Sequence, residues 1–297
     1  MKTKEHDPAR RLIKNRRQGI EILSPFAKTV RTVLSGFLVI YTGLIVFVSI
    51  VTLLDSFKTK TDLITNFTGL PKVFSLDSYK AVLFEDNFLL YFSNSMIVTL
   101  TGTGGCVFLS ALTAYGIARY DFKGKEFLSS YLFLGMMVPV QVIILPVFLI
   151  LKNLRLLNNL LGLILVYIST ISMCCLVFQK FFHTIPKALE ESARLDGAGD
   201  LRIFLRIIIP VSKPVILSMA LINGIIHWND FYMPMVLIGS SATKTLTLAI
   251  YQYVGRFARY MSESMAAVVI TLIPAVILYF LFSNQMVSGL TGGAVKE

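Results

Sequence analysis

Charge is scarce in this chain. Of its 297 residues, 15% are Asp, Glu, Lys or Arg and 55% are apolar, whereas about a quarter of an ordinary soluble domain is charged. With a mean hydropathy of +0.71, that balance excludes a soluble globular domain and indicates an integral membrane protein. Histidine is almost missing too: His6, His183 and His227 show no metal-ligand spacing, and there is no His-Glu-x-x-His and no Gly-x-Ser-x-Gly. The usual zinc and serine hydrolase constellations are thereby removed. No Gly-x4-Gly-Lys-Ser/Thr phosphate loop occurs, so the chain does not bind and split ATP in that way. The three cysteines, Cys106, Cys174 and Cys175, all fall inside apolar runs, and vicinal cysteines rarely bridge each other, so no disulfide framework is implied.

What the chain has is long uncharged runs. A hydrocarbon core of ~30 Å takes ~20 helical residues to cross. Runs of that order lie at Val33–Leu54, Asn87–Ala118, Phe127–Leu151, Leu156–Gln179 and Ser264–Val295, with Pro214–Thr243 broken only by Asp230. Lacking strict alternation, they read as helices rather than barrel strands. The expected fold is an all-α membrane protein of six transmembrane helices. Nine Lys/Arg in residues 1–32, three in Arg119–Lys125, six in Lys180–Lys213 and Lys296 make 19, against nine in the alternate loops. The basic side is retained in the cytoplasm, so both termini are expected there. The net charge of +11 is then mostly a topology signal rather than a sign of nucleic-acid binding. Arg10, Arg11, Lys14, Arg16 and Arg17 would face membrane-surface phosphates. The first run exceeds a signal-peptide core and should remain as an anchor.

Organisation follows from these runs: a basic tail over residues 1–32, a first helix over 33–54, an extracytoplasmic segment over 55–86, a core of five helices over 87–286, and a tail over 287–297. The extracytoplasmic segment carries a short surface helix near Leu76–Leu83. Thr101–Gly105 and Ser110 supply small residues for close helix approach. Tyr120–Lys125 reads as a tight turn, and Pro139 and Pro146 should kink the third helix.

Between Thr184 and Pro210 the composition changes. Pro186 suits the first turn of a short helix and Thr184 can cap the preceding helix. Glu190 and Arg194 stand at i,i+4 spacing, which predicts a favourable pair. Gly197 and Gly199 permit a left-handed turn, and Asp200 can cap a second helix over Leu201–Ile209. The product is a short helix parallel to the membrane, small-faced at Ser192 and Ala193. Glu191-Ser192-Ala193, Gly197, Ile207 and Pro210 stand in the register of a signature loop whose usual form is Glu-Ala-Ala, three residues, Gly, nine residues, Ile-x-Leu-Pro. Ser192 and Ile209 depart from it. Asn94-Ser95, Ala114–Arg119, Val138–Gln141, Trp228–Phe231, Thr245–Thr247 and Gly289–Lys296 extend the likeness. The chain resembles the ABC-importer permeases of the carbohydrate-uptake branch, in particular the second permease of a maltose-type pair.

The resemblance implies a type I importer fold in a bacterial cytoplasmic membrane. It implies a second permease, two copies of a cytoplasmic ATPase carrying the ATP and Mg, an extracytoplasmic solute-binding protein, a sugar substrate and no cofactor on this chain. It assigns ATPase coupling to Glu190, Glu191, Ser192, Ala193, Asp196, Gly197, Ile207 and Pro210. Independently, Asn223, His227 and Asp230 recur at i, i+4 and i+7 beside Trp228. Polar groups inside a membrane often line a pathway, and this face with Gln141 is the candidate translocation path; bonding to a neighbouring helix is the competing reading. The same architecture serving glycerol-phosphate or another non-sugar solute stays open. An intramembrane enzyme using His183 or His227 with an acid is disfavoured by the missing motifs.

Overall fold

The computed structural model describes residues 25–66, 69–85, 87–254 and 260–291. Among these residues every regular element is a helix. The chain divides at Leu54 into two units. In the first, helix α1 (Pro25–Asp55) is apolar on every side, with none of its most apolar window buried, the pattern of a helix whose surroundings are hydrocarbon.

The second unit opens with α2 (Lys60–Thr65), capped by the Thr59 hydroxyl on the Asp62 N–H, and α3 (Asp77–Lys80), which widens into a π-turn over Ala81–Glu85. Then come α4 (Phe88–Arg119), α5 (Lys125–Met137), α6 (Val140–Asn153), α7 (Leu160–Ser169), α8 (Ser172–Thr184), α9 (Ala188–Leu195) and α10 (Asp200–Val211). Last are α11 (Lys213–Asn229), α12 (Tyr232–Leu237), α13 (Leu246–Val254) and α14 (Met261–Thr291).

Helix α4 is the axis of this unit. At 1.5 Å per residue its 32 residues span about 48 Å, and it contributes to all three apolar cores. One joins Cys106–Ala118 to Cys174–Phe182 of α8 and Ile203–Ile208 of α10. A second joins Val98 to Leu163 and Tyr167 of α7 and Leu237 of α12. The third gathers Phe88, Trp228, Leu246 and Ala266. Small residues permit this centrality: a Cβ on Gly102 would come within 2.8 Å of Tyr167, and one on Gly105 within 2.6 Å of Ile168. Gly102 and Gly105 therefore serve close packing of α4 on α7.

Among the described residues three helices are long and apolar enough to cross a membrane: α1, α4, and α7 with α8. Two bent pairs raise the number to five. One is α5 with α6, where the chain turns by 104°, a sharper event than the kink expected at Pro139. Val138 has an extended backbone, as the residue before a proline must avoid the helical region, so α5 stops and α6 starts afresh. Pro146 stays inside α6. The other pair, α10 and α11, bends by 79° at Ser212. The last apolar run coincides with α14 as far as Thr291, while Gly292–Lys296, part of the tail motif, lies outside the described residues, as does the basic cluster Arg10–Arg17.

Candidate functional site

The charged segment folds as a short helix held outside the bundle. Thr184 Oγ1 donates to the Phe181 carbonyl at 2.7 Å, closing α8. The chain then runs extended through Ile185, and α9 begins at Ala188, one turn-half later than Pro186 suggests. Gly197 ends it at φ +80°, a left-handed conformation that glycine adopts without a Cβ penalty. Gly199, by contrast, is extended and stands at the N-cap of α10, with Asp200 the first helical residue. Near Pro210 the helix widens: the Ile209 N–H reaches back five residues to the Phe204 carbonyl. Proline clashes with the carbonyl four residues earlier, and a π-turn accommodates it. Ile207 packs half-buried on the first core while Pro210 is exposed.

The ion pairing differs from the i,i+4 expectation. Arg119, at the end of α4, sets Nε against Glu190 Oε1 at 2.5 Å, both side chains nearly inaccessible. The two atoms meet as charges without the alignment of a hydrogen bond. Tyr115 donates its hydroxyl to Glu190 Oε2 at 3.2 Å, and Arg119 Nη2 donates to the Ile185 carbonyl at 2.8 Å. Arg194 turns instead to Asp200 at 2.7 Å; the Tyr120 hydroxyl and then Asp200 keep its guanidinium charged to still higher pH. Long-range burial overrides the local pair because a carboxylate that packs inward needs a partner there. The outer face of α9 is left with Glu191, Ser192 and Asp196, all exposed, and Leu195, 90% exposed, while Ala193 packs half-buried on the first core. In the adjoining turn before α5, Lys125 bonds Asp121 at 2.9 Å and holds that carboxyl below the usual aspartate range.

The second constellation lies within the bundle. His227 shares a 2.8 Å hydrogen bond with Thr103 through Nδ1 and a 3.4 Å one with Thr170 through Nε2. Its ring stacks on Tyr167 at 4.3 Å between centroids. Tyr167 donates to Asp230 Oδ2 at 2.9 Å, and Asp230 Oδ1 accepts the N–H groups of Tyr232 and Met233 at the start of α12. Asn223 Nδ2 donates to Cys174 Sγ and to the Met219 carbonyl. Asn223, His227 and Trp228 are buried, Asp230 is half-buried and Gln141 is exposed. Asn223 and His227 lie in α11, whereas Asp230 stands just past its end with extended backbone, and what the three touch is mostly α4, α7, α8 and the start of α12. Trp228 packs edge-on against Phe92 and borders an apolar cleft of ≈ 350 Å³ closed by Met96, Leu100, Ile270 and Pro274.

At the other end of α4, Asn94 Nδ2 donates to the carbonyls of Ala242 and Lys244, and Ser95 Oγ accepts from the Leu246 N–H. Thr247 Oγ1 donates to the Trp228 carbonyl at 2.7 Å. Asn94-Ser95 and Thr245-Leu246-Thr247, separate in sequence, are thus two halves of one clamp on the loop after α12.

A family described as binding-protein-dependent transport system inner membrane component matches residues 106–291, which contain α9, both its glycines and the whole of α11. The chain belongs to this family. It is similar to the multiple sugar-binding transport system permease protein MsmG of Streptococcus mutans, 32% identical over 83% of this chain and 90% of that one. It is similar also to the arabinooligosaccharides transport system permease protein AraQ of Bacillus subtilis, 30% identical over 92% and 98%. A solved bacterial ABC transporter involved in the import of the acidic polysaccharide alginate has a chain of the same fold: TM-score 0.74, 21% identity, 95% of this chain and 99% of that chain covered. The chain is thus a transport permease rather than an enzyme. Tyr115 and Arg119 fall in the stretch Ala114–Arg119 that carries the family likeness, but sequence reading gave them no role. Arg119 had a signal, as the lone charge ending an otherwise uncharged 32-residue helix.

Proposed function

We propose that this chain is the membrane-spanning permease subunit of an ATP-driven importer, moving a sugar, and within that class an oligosaccharide, into a bacterial cytoplasm. The observation that carries the reading is the presentation of α9. It is a two-turn helix pinned from within by Arg119 and offering Glu191, Ser192, Leu195 and Asp196 outward, a shape suited to a groove on a separate ATPase. Family membership, which is named for dependence on a binding protein, supports an extracytoplasmic solute-binding partner. The sugar assignment leans on the printed substrates of the related permeases.

In this reading six helices span the cytoplasmic membrane with both termini inside. A second permease pairs with this one, and two ATPase copies bear the ATP and Mg. Closure of the ATPases shifts the bundle between inward- and outward-facing packings. Glu191, Ser192 and Asp196 contact the ATPase, Ala193 seats α9 on the first core, Gly197 makes the turn, and Ile207 and Pro210 seat the following helix. In the path, Asn223, His227 and Trp228 hold three helices together, and Asp230 and Gln141 are left to meet solute.

The test is uptake by the full complex in proteoliposomes with ATP and Mg supplied on the ATPase side. ATP- and binding-protein-dependent entry of labelled oligosaccharides is expected. Entry of glycerol-phosphate with no oligosaccharide entry would overturn the sugar assignment.

A further inference from the structure

The buried anchor of α9 is not needed to make a docking surface. A helix could lie on the membrane face with all its acids outward, yet Glu190 alone among Glu190, Glu191, Asp196 and Asp200 is buried. Its carboxylate is met from α4 by Arg119 and Tyr115. The same two residues grip the chain on both sides of α9. Ahead of it, Arg119 Nη2 holds the Ile185 carbonyl. Behind it, the Tyr115 ring lies 5.3 Å from that of Phe204 in α10. Three contacts, before, within and after α9, converge on the last turn and a half of the helix that runs through every core of the unit.

We propose that Arg119 is a positioning residue for energy coupling: with Glu190 it forms a strut that makes α9 move as one body with α4. This rests on the docking of α9 to an ATPase. Glu190 then faces inward to the strut, and Glu191 and Asp196 face outward to the partner. Without the strut, closing ATPases would displace α9 while α4 lags, and ATP would be split without a matching import step.

The measurement is sugar imported per ATP hydrolysed by the full complex in proteoliposomes, beside the amount of ATPase that stays bound through purification. Arg119→Gln and Glu190→Gln should keep the ATPase bound to within about twofold and lower the import-to-ATP ratio on the order of tenfold. The exchange Arg119→Glu with Glu190→Arg should recover most of that ratio, the signature of direct coupling between the two sites. A merely structural role would reduce the yield of complex and leave the ratio of the survivors unchanged. Wild-type ratios in both single variants would overturn the strut. So would loss of the ATPase in Glu190→Gln alone, since Glu190 would then be touching the partner. Should the charge variants not accumulate, Tyr115→Phe removes one hydrogen bond and keeps the ring: an unchanged ratio overturns the proposal, and a lowered ratio supports it. Docking itself is read separately, from Glu191→Lys. ATPase retained there at wild-type level refutes the docking surface whatever Arg119 does.

Discussion

Individual side chains settle which parts of this molecule hold still. Asn94 gives both its amide hydrogens to carbonyls of the loop after α12, and it is buried. Asn94→Ala strands those acceptors, at about 1–3 kcal/mol. Lower thermal stability in detergent is expected, with faster proteolysis within Gly239–Lys244; an unchanged cleavage rate would show the loop is held elsewhere. Much at this scale was out of reach of the sequence. The spacing of Asn223, His227 and Asp230 placed three polar groups on one helix face, but α11 ends at Asn229 and Asp230 is extended beyond it. Their partners Thr103, Thr170, Cys174 and Tyr167 come from other helices, 124 residues away in the case of Thr103. No local period encodes such a match. The Glu190–Arg194 expectation failed for the same reason, because an inward carboxylate is claimed by whatever cation the tertiary fold brings to it.

Elements were more legible than contacts. Apolar length found the long helices, and Gly197 marked the end of α9 because a left-handed residue is needed where the chain reverses. A Cβ at Gly197 would meet nothing within 4 Å, so substitution there acts through backbone conformation, which costs a non-glycine residue about 1–2 kcal/mol. Asn tolerates that conformation best and β-branched residues least. ATPase retention should therefore fall in the order Gly197→Asn, Gly197→Ala, Gly197→Val; equal loss in all three would point to a steric contact with the partner instead. Gly102 fails differently. Gly102→Val drives a side chain into Tyr167, an overpacking worth about 1–3 kcal/mol, and it should lower the melting temperature of the purified chain even with α9 intact. Proline was read in kind and missed in degree: extended backbone at Val138 ends α5 outright, and the chain leaves at 104°. Propensity tells where a helix stops but not the direction in which tertiary packing sends the next one.

Within the second unit one helix, α4, links the distant parts. The end of α4 at Arg119 holds α9, its middle carries Thr103 to His227, and its start holds the loop after α12. A displacement of α9 along with α4 would thus be felt at the opposite end, which is what the proposed drive by a separate ATPase requires. The most direct test is recovery of an ATPase with the detergent-purified chain, wild type beside Glu191→Lys. Glu191 is exposed and outside the buried strut, so its replacement leaves the fold untouched and probes contact alone. Co-purification of a nucleotide-hydrolysing subunit with the wild type, lost on charge reversal, is the predicted result. Equal recovery of that subunit with both proteins, or with neither, would contradict docking of an ATPase on α9.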